Sequence, residues 1–180
     1  IKILPLGIDI VDHKKIAKKT RFININALKF LNKTKEKFDF ILFKQSIHFF
    51  NIDTIQKILR YSKKKLNPKG KIVIFALHPK QNHWPMFKVF KVKLLASLEK
   101  DKIVLDLIKS YFKRYKISYF TFKVKVEKTS YIRMIKNRFT SGLLNLSAKE
   151  LKEGIKEIKK KYKNELTFSD KLICISYKKK

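Results

Sequence analysis

The residues of this chain able to do chemistry are few, and most follow stretches that read as strands. Asp9 falls near the end of Leu6-Gly7-Ile8-Asp9-Ile10. Lys44, Gln45, Ser46 and His48 follow the apolar run Phe40–Phe43, and His78, His83 and Trp84 follow Ile72–Leu77. In a dinucleotide-type fold, a carboxylate at a strand end accepts hydrogen bonds from ribose hydroxyls. A histidine beyond a strand's carboxyl end can face substrate as a general base. His48 has two readings: its neighbours Ile47, Phe49 and Phe50 suit a structural imidazole, whereas its place suits one lining a pocket. Neither His78 nor His83 stands at metal-ligand spacing from another His or Cys, so no metal site is expected. Cys174, the single cysteine, lies in an apolar run and reads as a small buried hydrophobe. It excludes an internal disulfide framework and points to a reducing, cytoplasmic compartment.

The elements that must position these residues are organised around Lys37–Gly70. The continuous apolar run Phe40–Phe43 suits a strand buried on both faces. Ile52, Ile55, Ile58, Leu59 and Leu66 recur at helical spacing, and Pro68 and Gly70 are expected to stop that helix and turn the chain. Ile72–Leu77 is a second apolar run, so the whole reads as a right-handed βαβ unit with parallel strands. Upstream, Leu6–Ile10 reads as a strand, Asp12–Lys19 as a helix capped by Asp12, and Arg21–Ala27 as a strand. Downstream, Met86–Leu98 and Asp101–Phe112 read as two helices and Ser118–Val126 as a half-exposed edge strand guarded by lysines. Tyr131–Arg138 reads as a short helix. Ser147-Ala148-Lys149-Glu150 is a capping box opening another, and Leu172–Tyr177 is the last strand. The loop His78–Phe87, with two prolines, two histidines and the only tryptophan, is placed to cover a ligand; the alternative is a rigid aromatic connector.

Phe38-Asp39-Phe40-Ile41, then a histidine about one helical turn past the strand, then Leu66-Asn67-Pro68-Lys69-Gly70, resemble the class I S-adenosylmethionine-dependent methyltransferases. That family shows Phe-Asp-x-Val, a His-containing loop and Leu-x-Pro-Gly-Gly; Lys69 stands here in place of the first glycine. The resemblance implies an α/β, Rossmann-like fold with a mostly parallel sheet and an antiparallel last strand. It implies S-adenosylmethionine as cofactor, with Asp9 on the ribose and Ile10 beside it. Asn26-Ala27 lies where the family commonly has Asp-Ala beside the adenine, although Asn26 also reads as a turn residue. Lys44 and Gln45 would lie beside the methionine portion, mostly through backbone groups. Pro79–Phe87 and Ile132–Leu144 are similar to a branch with a Pro-Phe segment after its fifth strand and then Arg-aromatic-x-Ser-x-Leu. Relatives sharing the Arg-x-x-Ser element include methyltransferases of small carboxylic acids. By that analogy Arg138 and Ser141 meet an anionic or polar substrate, joined by His48, His78, His83 and Trp84; a structural Arg138 tying its loop is the even alternative.

The family's glycine-rich cofactor turn has no counterpart, because Gly7, Gly70, Gly142 and Gly154 are all far apart. The chain also begins with Ile1, so a partial methyltransferase domain, residues 1–180, lacking the first strand and that turn, is expected. Composition bounds the rest: 180 residues with 44% hydrophobic content suit one domain with a sizeable core. No apolar run approaches a membrane span. The net charge of +31 invites a nucleic-acid partner, but only Arg21, Arg60, Arg114, Arg133 and Arg138 among the 45 basic residues are arginine. Base readout and bidentate phosphate contacts favour arginine, so a nucleic acid is disfavoured. Three hypotheses stand: a methyltransferase of a small-molecule acceptor, a nucleic-acid methyltransferase on the same fold, or a non-enzymatic binding protein.

Overall fold

The computed structural model describes residues 4–12, 20–80 and 83–180. Leu6–Asp9 (β1) and Arg21–Asn24 (β2) pair in parallel, with Leu6 opposite Arg21 and Asp9 opposite Asn24. The helix expected from Asp12 falls mainly on residues 13–19, outside the described residues. Asn26 and Ala27, read above as the end of a strand, instead open a helix, α1 (Ala27–Lys33). Asn26 Oδ1 accepts from the backbone N–H of Leu28 at 2.9 Å and of Lys29 at 3.3 Å. Satisfying donors that have no partner inside the helix outweighs the strand-like Phe22-Ile23-Asn24-Ile25 text before it.

The βαβ unit forms as its pattern demands: Phe38–Lys44 (β3), Ile52–Lys65 (α2) and Leu66–Leu77 (β4). Asn51 caps α2 by accepting from Thr54 N–H at 2.9 Å, and the helix buries Ile55, Ile58 and Leu59 against the sheet. Pro68 and Gly70 do not make a separate turn. The strand starts at Leu66 directly after the helix, and Asn67–Gly70 bulges out of the ladder, since Phe38 pairs with Leu66 and Phe40 with Lys71. Asn67 Nδ2 braces the bulge by donating to Asp39 Oδ1 at 2.9 Å. Lys69, standing where the family pattern has glycine, sits in the left-handed region at φ 64°. A side chain there costs about 1 kcal/mol or more, part of which glycine would return as chain entropy in the unfolded state. Lys69→Gly is therefore expected to raise stability by about 0.5 kcal/mol, seen as a higher urea midpoint at unchanged slope. A lower midpoint would mean that Lys69 makes a compensating contact.

The larger sheet has the order β3-β4-β6-β5, with Lys116–Glu127 as β5 and Glu165–Lys178 as β6. Strand β3 is parallel to β4, and β6 is antiparallel to both β4 and β5. The last strand alone is therefore reversed, as expected, and β5 forms the lysine-bearing edge. Among the described residues β1 pairs only with β2, and β3 only with β4, so each leaves one edge unpaired. Phe40 and Leu42, which share one face of β3, are 54% and 48% exposed, against the expectation of a strand buried on both faces.

The two helices read over Met86–Leu98 and Asp101–Phe112 are one, α3 (Lys88–Tyr111). Glu99-Lys100 contains no breaker, and Phe90, Leu94, Leu98, Asp101, Leu105 and Ile108 follow one another at steps of three and four along a single buried row. Its first half packs in a cluster with Phe87, Tyr131, Leu143, Ile158 and Leu166; its second half packs with Ile55, Ile58, Ile72 and Ile74. Lys128–Lys136 (α4), Ser141–Leu144 (α5) and Ala148–Lys161 (α6) cover the first cluster. The capping box of α6 closes as expected: Ser147 N–H donates to Glu150 Oε2 at 2.6 Å and Glu150 N–H to Ser147 Oγ at 3.2 Å. Helix α6 meets Phe87 at Gly154, where a Cβ would fall 2.3 Å from the ring.

Candidate functional site

Ligands of open α/β sheets bind beyond the carboxyl ends of the strands. At the end of β1, Asp9 Oδ1 accepts from Val11 N–H at 3.0 Å, while its backbone oxygen accepts from Ile25 N–H at 2.9 Å. The carboxylate is thus held at the exposed lip where β1 and β2 finish together, with the exposed Ile10 next to it. Asn26 spends its oxygen on the α1 cap, so what it can present to a ligand is its amide N–H₂ group; Ala27 is the first residue of that helix. The ends of β3 and β4 lie side by side, because Gln45 N–H donates to the Phe75 carbonyl at 2.8 Å. The loops after both strands therefore leave one edge of the sheet. Gln45 itself has φ 51°, a left-handed backbone at the position where the chain leaves β3, and Lys44 before it is exposed. Strained non-glycine residues of this kind cluster at ligand sites.

His48 lies in the short 3-10 turn Ile47–Phe49, which packs against α3. It is half-buried, its ring centroid 4.3 Å from that of Phe49. Facing it from α3 is Asp101, 7% exposed and one of two buried polar or charged side chains among the described residues. Burial pushes the Asp101 carboxyl above the usual carboxylate range, and the His48 imidazole opposes that shift. Sequence reasoning took Asp101 only as the start of a helix. The signal was there: Asp101 stands on the apolar row, where an unpaired acid is costly.

After β4, His78 N–H donates to the Lys171 carbonyl at 2.8 Å and His83 N–H to the Ser169 carbonyl at 3.4 Å, so the loop runs on alongside β6. Burial, then the charges of Lys171 and Lys80, hold the His78 imidazole below the usual histidine value, so it is neutral at pH 7. Trp84 packs 6.0 Å from Phe139, and Tyr131, fully buried, donates to the Pro85 carbonyl at 2.6 Å. Burial raises the Tyr131 phenol and the Asp170 carboxyl above their ordinary values. The Trp84 indole N–H and Asp170 Oδ1 are buried without a hydrogen bond of ordinary geometry, although the indole favours the ionised acid. Arg138, at φ 51°, donates through Nη1 to the carbonyls of Leu143 and, at 3.1 Å, Leu144, closing the end of α5; Ser141 is the first residue of that helix.

Thus Asp9, Ile10, Asn26 and Ala27 gather where β1 and β2 end, and Lys44, Gln45 and His48 just after β3. His83 and Trp84 gather beyond β4 near Arg138 and Ser141, while His78 instead stacks on Tyr119 of the edge strand at 5.6 Å. Open clefts of 390 Å³ between α1 and α2 and of 560 Å³ between α2 and α3 are lined by Lys57 and Arg60, not by Asp9, Gln45 or His48. A carboxylate for ribose hydroxyls, an amide donor for an adenine edge and turned backbone for a charged amino-acid end fit the polar groups of S-adenosylmethionine. Among the described residues no group of three His, Cys, Asp or Glu is placed to hold a metal ion, and no helix is long and apolar enough to cross a membrane.

No family model matches the sequence, and no curated protein matches it. The solved structures do. A methyltransferase assigned to an antibiotic biosynthesis pathway of Anabaena variabilis ATCC 29413 superposes with a TM-score of 0.59 at 12% identity, over 91% of this chain and 74% of that one. A SAM-dependent methyltransferase from Archaeoglobus fulgidus gives 0.52 at 15% identity, over 97% and 75%. A protein of Bacillus halodurans C-125 assigned as a methyltransferase gives 0.51 at 12%, over 97% and 82%. The fold is that of the class I S-adenosylmethionine-dependent methyltransferases.

Proposed function

We propose that this chain carries most of a methyltransferase that moves the methyl group of S-adenosylmethionine to a small polar acceptor, of which a carboxylate is one form. The observation that carries the reading is the methyltransferase strand order, its reversed last strand included, with Asp9 held at the lip of β1 and a left-handed Gln45 where β3 ends. When bound, the cofactor supplies a methyl group activated on a sulfonium, so the protein's work is binding, alignment and exclusion of water. Asp9 accepts from the ribose hydroxyls, the Asn26 amide donates to the adenine edge, and the Lys44-Gln45 backbone holds the amino-acid end. The Trp84 loop screens the acceptor from solvent, and Arg138 fixes the α5 turn beside it while its remaining N–H groups face a polar acceptor.

The unpaired edges of β1 and β3, and the exposed Phe40 and Leu42, suit a further parallel strand between the two, followed by a glycine turn and a helix over that face. In such a lengthened form, Asp9→Ala is expected to weaken S-adenosylmethionine binding by about 1.5–3 kcal/mol, the range for hydrogen bonds to a charged group. Isothermal titration reads this directly. An unchanged dissociation constant in a folded variant removes Asp9 from the site.

A further inference from the structure

We infer that Asp101 is a positioning residue for His48, and that the two form an acid–imidazole pair accepting a proton from an O–H or N–H methyl acceptor. The inference rests on the methyltransferase reading and narrows its substrate class. Its footing is geometric. The turn carrying His48 leaves the carboxyl end of β3 two residues after the left-handed Gln45 and packs directly on α3. On the buried row of α3 the one acidic residue, Asp101, stands where the helix passes that turn. A buried carboxylate needs a cationic or donor partner, and His48 is the charged group that acts on it. A histidine whose one ring nitrogen donates to a carboxylate has its tautomer fixed and its other nitrogen turned outward as an acceptor.

The step balances. An electron pair on the acceptor oxygen or nitrogen forms the new bond to the methyl carbon, while the carbon–sulfur bond breaks and its pair stays on sulfur as a neutral thioether. The acceptor's proton passes to His48, and the Asp101 carboxylate stabilises the imidazolium. A carboxylate acceptor has no proton to lose and would need no such pair.

The test is the tautomeric state of His48 in the 180-residue chain labelled with ¹⁵N-histidine, its signals assigned among the four histidines by loss in His48→Gln. At pH 8 the wild-type chain is expected to show one fixed tautomer. In Asp101→Asn that pattern should be lost to an average of two tautomers, and in Asp101→Glu it should be largely restored. A purely structural Asp101 would leave the His48 shifts unmoved in a folded Asp101→Asn. Should that variant fail to fold, the wild-type spectrum still decides, since a tautomer average there overturns the pair. Because no cofactor enters this measurement, a fixed tautomer in a protein that never binds S-adenosylmethionine would keep the pair and refute the methyl-transfer reading.

Discussion

A form of this protein lengthened ahead of Ile1 by a strand, a Gly-x-Gly turn and a helix is expected to bind S-adenosylmethionine at micromolar concentrations or below. Residues 1–180 alone should bind it weakly or not at all. The difference corresponds to roughly 4 kcal/mol or more, from millimolar or weaker to micromolar affinity. Two causes combine. A glycine turn lets backbone N–H groups approach a ligand closely, and no pair of glycines here can make one. The unpaired edges of β1 and β3 also leave the two ends of the site on separate sheets, Asp9 on one and Gln45 on the other, without a shared strand to set their distance. A strand between them would pair both edges, and a helix after it would bury Phe40 and Leu42, so thermal stability should rise with affinity. Calorimetry on the two forms decides the matter: tight binding by the 180-residue chain would show that this account of the site is wrong.

Gly154→Ala is expected to destabilise the fold by about 2–3 kcal/mol, a fall in Tm of roughly 5–10 °C. Helix propensity argues the other way by up to about 1 kcal/mol, since alanine is the better helix former. Sterics win because the added methyl would lie 2.3–2.5 Å from three atoms of the Phe87 ring. That ring is 1% exposed, packs 5.7 Å from Phe90, and caps α3, so it cannot move aside without disturbing the cluster around Tyr131. Combining Gly154→Ala with Phe87→Leu should cost less than the sum of the two changes. Strict additivity in thermal unfolding would refute the contact.

Much of this was legible from local pattern, and the misses share a cause. The βαβ unit, the edge strand and the Ser147–Glu150 box depend on neighbours within a few residues, and periodicity or capping chemistry shows them. Asn26 misled because the same amide serves a cap or a ligand, and only the α1 backbone shows where its oxygen goes. Asp101 misled because an acid within an apolar helical row looks like a boundary until its partner, contributed from fifty-odd positions earlier in the chain, is seen opposite. The Asn67–Gly70 bulge hid behind Pro68 and Gly70, which read as a turn whether or not the ladder continues past them. Asp170 drew no attention in the text because nothing adjacent to it pairs with Trp84, and the two meet only when the loop after β4 runs beside β6.

Helix α3 makes the molecule mechanically simpler than its two apolar clusters suggest. Its twenty-four residues, about 36 Å of rigid rod, are rooted in both, Phe90 to Leu98 in one and Val104 to Ile108 in the other. Neither cluster can loosen without dragging on the shaft it shares with its neighbour. The side of the protein that would grip an acceptor is therefore geared to the side that carries the sheet, and Asp101 sits where the load passes from one to the other.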